Sequence, residues 1–556
     1  MKRYLSDYTA LMGSPTAGAV LACHDLADGD TLHLGGGEWH LYPEGGFERE
    51  YYISNNDYGK KSIAFPLIGK KNVTIDGEGA SLIFHGKVLP FVMDSCDGVT
   101  IKNLTVDYAE PMYFEGKIVD AGEDFVELEY DDSQFHLDLL GRKYRFYGEN
   151  WENVTEKVLV NEFAPDFRGP VPMTATYFAY TGTQRDTSFL SGLYRYLTPS
   201  KPAPNRLRLD GELGFTHNLG KYWLCTHNSR EFPGFFGTDS KNIHLEDITL
   251  RHTLAMGVIC QLCENITLSR IVAEPRQGRL LSVDADATHF VNCSGLIRMD
   301  SCRFESMMDD ATNIHGIYTP VERRLGDHRL LLSFGHFQQY GVNIYKPGDR
   351  IRLVDNSTLV PVAEFTVAKS TLLSGKYLLL ETAEPLPKEI PQGFVFENHS
   401  RMPAAHITNC ICGYNRPRGF LLTTNREVLV EGCEFHNISH AIAINGDANS
   451  WFESGPAGKI ILRNNRFENA AYSGGAVIST AQEIPVATDT PYHGELIVEG
   501  NHFQTNGKRF LEVHGLRKVV FRGNTFTQDD SLPPAGSIGE TGIKVWDCGV
   551  CDAEEI

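Results

Sequence analysis

Residues 428–435 read Val-Leu-Val-Glu-Gly-Cys-Glu-Phe, and residues 460–467 repeat the pattern as Ile-Ile-Leu-Arg-Asn-Asn-Arg-Phe. Residues 496–503 and 519–526 continue it as Leu-Ile-Val-Glu-Gly-Asn-His-Phe and Val-Val-Phe-Arg-Gly-Asn-Thr-Phe. Each copy begins with an apolar residue, any residue and a second apolar residue. A polar pair that often contains Asn or Gly follows, and the copy ends at Phe or another apolar residue. Earlier copies begin at Val73, Val99, Ile243, Ile266 and Ile297.

This pattern predicts two short strands joined by a bend, because side chains alternate along a strand and Asn or Gly accepts the positive φ of a tight corner. Successive copies lie 32 residues apart from Phe435 to Phe467 and 23 apart from Phe503 to Phe526. A unit of this length cannot bury its apolar face alone, whereas stacking such units about 4.8 Å apart does so. A propeller blade would need about 40–45 residues. The sequence therefore predicts an all-β fold, a right-handed parallel β-helix similar to the pectate-lyase solenoid.

The repeat is interrupted twice, and each interruption contains several strand-like runs such as Phe125–Glu129 and Tyr377–Glu381. Closely spaced strands with turns between them are typical of a small antiparallel barrel. An apolar, helix-like stretch at Thr16–Cys23 precedes the first coil and is expected to cap the end of the solenoid. We divide the chain into an N-terminal cap with the first coils (1–110), an inserted β-barrel (111–235), coils with acidic clusters (236–316), a second inserted β-barrel (317–400) and C-terminal coils (401–556).

Composition narrows the possible functions. The chain has 556 residues, of which 42% are hydrophobic and 22% charged, which argues against disorder. Its formal charge of −20 disfavours a nucleic-acid partner, which needs a basic surface. No apolar run approaches the 18 or so residues of a membrane span, so no membrane partner is expected. Residues 1–18 lack the apolar core of a secretory signal. We therefore expect a cytoplasmic protein as the sequence stands, or a secreted or periplasmic one if a leader was removed.

Cysteine spacing gives little reason to expect a metal. The chain has 12 cysteines, including two C-x-x-C pairs that begin at Cys260 and Cys548. A structural zinc site needs four ligands, but these pairs lie far apart in the chain and have no histidine at finger spacing. We expect reduced thiols that pack as small apolar side chains.

Acidic residues cluster in the coils that lie between the two interruptions. Asp286 precedes Asp309 and Asp310 by 23 and 24 residues, which is about one coil. Neighbouring coils would place the three carboxyl groups side by side, where their mutual repulsion should raise at least one pKa. The same stretch offers further polar side chains that we predict to bind substrate, namely Arg276, Asp284, His289, Asn313 and His315.

Other interpretations of this cluster remain open from the residues alone. Asp and Asn at the corners of coils often bond to free backbone groups in Asx-turns. Carboxylate clusters can also hold calcium. A polysaccharide lyase would need a strong base near the acids, and Arg276 and Arg279 are available for that role.

A second polar group lies in a later coil, at Asn445, Asp447 and Trp451. We predict that these residues contact the ligand, with the indole stacked on a sugar ring. The alternative is a corner turn formed by the Asn-Gly-Asp sequence at 445–447.

The acidic region resembles the exo-α-galactosidases of glycoside hydrolase family 110. The resemblance is carried by Asp-Ala-Asp-Ala-Thr-His-Phe at 284–290 and by Met-Met-Asp-Asp-Ala-Thr-Asn-Ile-His-Gly at 307–316. It extends over nearly the whole chain, including the interruptions, which are β-barrels in that family. The resemblance implies removal of terminal α-1,3-linked galactose with inversion, from blood-group-B-type or linear α-galactosyl glycans, without a metal or other cofactor. The family's acidic trio matches Asp286, Asp309 and Asp310.

Inverting hydrolysis needs one protonated carboxyl for the leaving oxygen and one carboxylate that activates water, about 6.5–9.5 Å apart. We assign Asp309 as the general acid, and Asp286 and Asp310 as the groups that hold and deprotonate the water. The expected partner is an oligosaccharide or glycoconjugate with terminal α-galactose, and a homodimer is possible. The alternatives are a lyase or polygalacturonase-like depolymerase of acidic polysaccharides, which the acidic charge disfavours, and a non-catalytic glycan-binding β-helix.

Overall fold

The computed structural model describes residues 1–163, 169, 176–181, 194–213, 219–227, 229–472, 475–532, 542–554 and 556. In these ranges most of the chain forms coils whose strands pair in parallel with the preceding and following coils. The predicted parallel β-helix is therefore confirmed. Within the same ranges, no helix is both long enough and apolar enough to cross a membrane.

The N-terminal region consists of a helical cap and the first coils. Its cap helix begins at Pro15, and Ser14 Oγ accepts a hydrogen bond from the Ala17 N–H (3.4 Å) at the N-terminus of that helix. The buried face of this helix, which includes Ala19 and Cys23, covers the end of the solenoid core, as predicted. The elements of this region are β1 (Lys2–Tyr4), α1 (Leu5–Met12), α2 (Pro15–Asp25), β2 (Thr31–His33), β3 (Glu38–Leu41), a 3-10 turn (Pro43–Gly45), β4 (Phe47–Tyr51), β5 (Gly59–Ile68), β6 (Lys71–Phe84), β7 (Leu89–Asp94) and β8 (Asp97–Tyr108).

The first insertion leaves the solenoid after β8. The predicted barrel over 111–235 includes residues outside the described ranges. Its strands are β9 (Phe114–Ala121), β10 (Phe125–Glu129), β11 (His136–Leu140), β12 (Lys143–Gly148), β13 (Trp151–Thr155), β14 (Lys157–Phe163), β15 (Thr176–Tyr180), β16 (Tyr194–Tyr196), β17 (Thr198–Ser200), β18 (Arg206–Asp210) and β19 (Tyr222–Thr226). The described strands form one sheet in the order β16-β15-β14-β19-β9-β10-β18-β17 and a smaller sheet of β11, β12 and β13.

The central coils resume directly beside the coil that the insertion interrupted, because β21 pairs in parallel with β8. Their strands are β20 (Phe235–Thr238), β21 (Lys241–Leu250), β22 (Val258–Gln261), β23 (Glu264–Ala273), β24 (Thr288–Val291), β25 (Ser294–Asp300), β26 (Arg303–Glu305) and β27 (Thr312–Gly326).

The second insertion grows out of a strand that also belongs to the solenoid. The first part of β27 pairs with β24, and its later part pairs with strands of the insertion. Those strands are β28 (Arg329–Ser333), β29 (Arg350–Asp355), β30 (Pro361–Leu372), β31 (Tyr377–Thr382) and β32 (Phe394–Asn398), with a 3-10 turn at Phe337–Gln339. Pairing runs β27-β28-β31-β30-β29-β32 and back to β27, which closes a six-stranded antiparallel barrel within the described residues.

The C-terminal coils continue the same stack, since β33 pairs with β25 across the second insertion. Their strands are β33 (Ala404–Thr408), β34 (Ile411–Gly413), β35 (Phe420–Leu422), β36 (Glu427–Glu431), β37 (Glu434–His436), β38 (Ile442–Ile444), β39 (Glu453–Ser454), β40 (Lys459–Arg463), β41 (Arg466–Glu468), β42 (Ile478–Thr480), β43 (His493–Glu499), β44 (His502–Thr505), β45 (Leu511–His514), β46 (Leu516–Arg522), β47 (Thr525–Gln528), β48 (Ile543–Trp546) and β49 (Val550–Ala553).

The repeated motif supplies both the corners and the interior of the coils. Its fifth residue is left-handed, with φ of 57° at Asn103, 51° at Asp247 and 65° at Gly432, which explains the Asn, Asp and Gly found there. Its last apolar residue stacks from coil to coil, and the Phe467 ring lies 5.1 Å from Phe435 and 4.9 Å from Phe503 between centroids. The predicted corners and stacked apolar positions are therefore confirmed.

Candidate functional site

A cavity of about 320 Å³ opens along consecutive coils of the solenoid. Four neighbouring strands run past it in register, because His289 of β24 lies opposite Asn313 of β27, and Asn313 lies opposite Leu421 of β35, which in turn faces Ala443 of β38. The cavity is lined by Asn55, Arg230, Asp286, His289, Asp309, Asp310, Asn313, Arg418, Leu421, Thr423, Asn445, Gly446, Asp447, Ser450, Trp451, Glu453, Ala481 and Glu483.

The three predicted catalytic carboxyl groups meet at one end of this cavity, which we call the trio end. Asp286 and Asp310 each lie two residues before a strand, and those strands, β24 and β27, pair with Thr288 opposite Thr312. The Ala287 N–H donates to the Asp310 carbonyl (2.9 Å), so Asp286 and Asp310 occupy the same place on adjacent coils. Asp309 precedes Asp310 and is the most exposed of the three, at 14% of its side chain against 3% and 0%.

Two arginines balance the charge of the trio. Arg230 forms an ion pair with Asp309, and Arg418 Nε donates to Asp310 Oδ1 (2.9 Å). Burial favours the neutral form of Asp309, but the guanidinium groups of Arg230, Arg416 and Arg418 outweigh it and hold the pKa of Asp309 below its usual range.

The other two carboxyl groups have the opposite tendency. Burial, followed by the nearby Asp309 carboxylate, raises the pKa of Asp286 well above its usual range. Burial also raises the pKa of Asp310 well above its usual range, although Arg418 opposes that shift. The expected conflict between neighbouring carboxyl groups is therefore present, and it favours a proton on Asp286 or Asp310 in the ligand-free protein.

A chain of buried hydrogen bonds leads away from Asp286. Its Oδ2 lies 2.6 Å from His289 Nδ1, and His289 Nε2 lies 2.8 Å from Nε2 of His315. His315 Nδ1 donates in turn to the Gly316 carbonyl (2.6 Å). Burial lowers the pKa of His289 to about 4 and also lowers the pKa of His315. His289 lines the cavity, whereas His315, which we predicted to bind substrate, lies behind it.

The Glu453 carboxylate lies next to this series of hydrogen bonds. It lies on β39, which pairs with the β27 backbone so that Glu453 is opposite Ile317, and its Oε1 is 3.6 Å from His315 Nε2. Asn55 Nδ2 donates to Oε1 of Glu453 (2.9 Å), and Asn313 Nδ2 donates to Oε2 (3.5 Å). Burial disfavours the charge on Glu453, but His315, His289 and Arg418 together lower its pKa.

The opposite end of the cavity, the distal end, is formed by Asn445, Asp447, Trp451 and Glu483. The Asp447 carboxylate accepts hydrogen bonds from the N–H groups of residues 449, 450, 451 and 452, so it forms the turn that we gave as its alternative role. Asp447 nevertheless also lines the cavity. Burial and the neighbouring Asp447 raise the pKa of Glu483.

At the distal end, Trp451 presents an exposed ring, and Asn445 has a buried oxygen that accepts no hydrogen bond from the described residues. The Trp451 side chain is 43% exposed, and its ring lies 4.4 Å from that of His336 in the second insertion. Gln339 Nε2 fixes the same turn by donating to the Trp451 carbonyl (2.7 Å). Among the described residues, no donor reaches the buried Oδ1 of Asn445 or of Asn313, so both oxygens can accept from a ligand.

Three of the predicted substrate-binding residues are not part of the described lining of the cavity, namely Arg276, Asp284 and His315. Arg276 is 3.5 Å from Asp107 and borders a separate groove with Arg251. Asp284 is buried and is not part of the lining of the cavity. Arg279 is also buried and donates to Asp107 (3.2 Å) and to two backbone carbonyls, which excludes it as the base that a lyase would need here.

Several lining residues were not predicted from the sequence, chiefly Arg230, Arg418, Glu453 and Glu483. Arg230 lies between β19 and β20, at the end of the first insertion, and Glu453 belongs to a two-residue strand, so neither forms part of a repeated motif. Arg418 lies two residues before β35, which is the place that Asp310 occupies before β27 on the preceding coil. The only sequence feature that marked it was its position in Arg-Pro-Arg at 416–418.

Comparison with known proteins identifies relatives of the chain. Residues 329–395 match the family model described as GLAA-B beta-barrel domain II, and residues 392–550 match the one described as right handed beta helix region. Alpha-1,3-galactosidase A of Shewanella woodyi is 32% identical over 489 residues, which cover 87% of this chain and 78% of that protein. Alpha-1,3-galactosidase B of Bacteroides thetaiotaomicron is 30% identical over 525 residues, which cover 93% and 83% respectively.

Solved structures resemble the chain more remotely. The A-module of the mannuronan C-5 epimerase AlgE4 from Azotobacter vinelandii has a TM-score of 0.38 and 8% identity, with 100% of both chains covered. The family 28 exopolygalacturonase of Yersinia enterocolitica has a TM-score of 0.39 and 11% identity, with 100% of this chain and 79% of that chain covered.

Both relatives are named alpha-1,3-galactosidases, and they match 87% and 93% of this chain. The predicted right-handed β-helix with inserted β-barrel structure is confirmed by the fold and by the two family matches. The chain therefore belongs to the α-1,3-galactosidases of glycoside hydrolase family 110 and is a galactosidase-type glycoside hydrolase.

Proposed function

We propose that this enzyme releases terminal α-1,3-linked galactose with inversion, from linear or blood-group-B-type glycans. The observation that carries the proposal is the trio of carboxyl groups on adjacent coils at one end of a single cavity. From β27 to β42 the cavity spans three coil steps, or about 14 Å at the usual strand spacing, which leaves space for a further sugar beyond the reacting one.

The exposures of the three carboxyl groups support the division of roles that we predicted. A general acid must reach the glycosidic oxygen on the side from which the leaving sugar departs, and Asp309 is the most exposed member of the trio. Asp286 and Asp310 lie deeper, on adjacent coils, where they can hold one water between them. Asp309 then protonates the glycosidic oxygen while this water attacks the opposite face of the anomeric carbon, which inverts its configuration.

The ion pair with Arg230 affects whether Asp309 can carry the proton that this mechanism requires. This ion pair favours the carboxylate, whereas a general acid must carry a proton. The proposed role of Asp309 therefore requires that the bound glycan weaken the contact between Arg230 and Asp309. If the contact persists, Asp310 is the better proton donor, because burial raises its pKa.

The charge of the cavity supports a neutral substrate. Six carboxyl side chains of the described residues line it, and the two arginines found among them already pair with members of the trio. A uronic acid or a sialic acid would bring another negative charge close to these groups, which costs free energy. This favours a neutral galactoside over the acidic polysaccharides of the depolymerase alternative. We propose that Asn313 and Asn445 accept hydrogen bonds from sugar hydroxyl groups and that Trp451 stacks on the second sugar.

Hydrolysis of defined glycans in the presence of a chelator tests the proposal. We expect free galactose from α-1,3-galactobiose or from the blood-group-B trisaccharide, and β-galactose as the first anomer seen by proton NMR. Galactose formed first as the α-anomer would contradict inversion. Failure on every α-1,3-galactoside would contradict the proposed specificity, and chelator-sensitive release of unsaturated uronides would favour the depolymerase.

A further inference from the structure

The hydrogen-bond chain behind Asp286 fixes where its protons lie. A backbone carbonyl can only accept, so the hydrogen between His315 and Gly316 must be on His315 Nδ1. A neutral His315 then offers Nε2 as an acceptor, and the hydrogen between the two rings must be on His289 Nε2. A neutral His289 in turn has only Nδ1 left, as an acceptor toward Asp286 Oδ2. The third hydrogen therefore comes from the carboxyl group of Asp286.

The surroundings favour this arrangement of neutral groups. The side chains of Asp286 and His289 are almost fully buried, and His315 is fully buried, so each charged form has lost its hydration. The charges that face the chain are the Asp309 and Glu453 carboxylates and the Arg230 and Arg418 guanidinium groups. Because these opposite charges largely offset one another, burial determines the protonation states of the three hydrogen-bonded side chains.

We propose that Asp286 and His289 act together as one proton acceptor, and that His315 is a positioning residue that fixes the tautomer of His289. This inference rests on the proposed function, in which Asp286 receives a proton from the attacking water. The Asp286 oxygen that does not contact His289 takes the water proton, while Oδ2 passes its own proton to His289 Nδ1. One O–H bond breaks in water and one forms on Asp286, and a second proton moves from Asp286 Oδ2 to His289.

Glu453 is placed to balance the positive charge that His289 acquires in this step. Its carboxylate lies 3.6 Å from His315 Nε2 and is held by Asn55 and Asn313. A protonated Asp286 can thus still deprotonate water, because its first proton has a buried acceptor with a nearby countercharge. The leaving galactoside oxygen takes its proton separately, from Asp309.

NMR on the resting wild-type enzyme tests the tautomer directly. With ¹⁵N-labelled histidine, long-range proton–nitrogen spectra distinguish Nδ1–H from Nε2–H, and the His289 signals are assigned by the change they show in His315→Gln. We expect a neutral His289 protonated on Nε2 near pH 7. A neutral His289 protonated on Nδ1, or a charged one, would overturn the proposal. This measurement does not depend on any substrate, so it stands even if no α-1,3-galactoside is hydrolysed.

A pair of His315 variants tests whether His315 supports turnover by fixing the tautomer of His289. In His315→Gln the amide oxygen can still accept from His289 Nε2–H, whereas His315→Ala removes that acceptor and allows His289 to donate from Nδ1 to Asp286. We expect kcat to fall about tenfold or more in His315→Ala, in the range of general-base contributions. We expect kcat near the wild-type value in His315→Gln, and little change of KM in either variant.

Three results would overturn this role: an unchanged kcat in His315→Ala, equal losses in the two variants, or a loss confined to KM. If His315→Ala does not fold, the tautomer of the wild-type enzyme decides the question.

Discussion

The two ends of the cavity use their acidic side chains in different ways. At the trio end, the carboxyl groups face arginines, histidines and one another, so their charges depend on neighbouring side chains. At the distal end, Asp447 is bound by consecutive backbone N–H groups, and its main task is to shape the turn that carries Trp451. A carboxylate that lines the cavity therefore does not necessarily take part in proton transfer. Its partners decide whether it can exchange a proton.

The largest effects are expected from Asn substitutions of Asp286, Asp309 and Asp310. Each variant should remain folded by circular dichroism but lose about 10²-fold or more in kcat, because general acid–base groups contribute on that scale. Asp309→Asn should retain more activity on an aryl galactoside with a good leaving group than on a disaccharide. Asp286→Asn and Asp310→Asn should be impaired on both substrates, since water must still be deprotonated. Near-wild-type turnover in all three variants would instead show that these residues only cap corners.

Arg230→Gln should move one limb of the pH profile by about one unit, which is a tenfold change in an acid dissociation constant. Arg230 lowers the pKa of Asp309, so its removal raises that pKa. A general acid loses activity as the pH rises through its pKa, and the alkaline limb should therefore shift to higher pH. Arg230→Lys keeps the charge and should leave the limb near its wild-type position. A shift of the acidic limb to higher pH would show that Asp309 works as a carboxylate.

Trp451→Ala should affect binding at the distal end while leaving the chemistry intact. Loss of an aromatic contact worth about 1 kcal/mol should raise KM for a disaccharide about fivefold, with kcat nearly unchanged. Trp451→Phe, which retains a ring, should recover most of the affinity. KM for an aryl galactoside, which lacks the second sugar, provides the internal comparison. An equal loss on both substrates would contradict the proposed stacking.

The smallest effect is expected for Arg276→Ala, because this side chain pairs with Asp107 outside the cavity. We expect kcat/KM on any α-1,3-galactoside to change by less than about twofold, as is usual for a surface substitution away from a site. A loss as large as that of the Asp286 variant would place Arg276 in the reaction after all.

The repeated corners made the fold predictable from sequence, and the coil spacing made the trio predictable. Position five of each motif needs a left-handed residue, so the Asn, Asp and Gly found there mark where each coil turns. Asp286 and Asp310 follow the same register, since they precede strands that stack directly. Arg230 and Glu453 reach the cavity through pairings between distant segments, and those leave no periodic trace. Arg276 lies outside the lining of the cavity although it is close to Asp286 in sequence, because closeness in sequence says little about which side of a coil a loop residue occupies.

Strand β27 has a consequence for how this enzyme can change over evolution. Its first residues carry Asn313 and His315 close to the trio end of the cavity, and its last residues close the barrel of the second insertion. A slip of one residue in this strand would turn both side chains to the opposite face, because side chains alternate along a strand. The barrel is therefore not a module that a linker could exchange. Any change to the barrel must preserve the register of this strand, or it also moves the side chains at the trio end of the cavity.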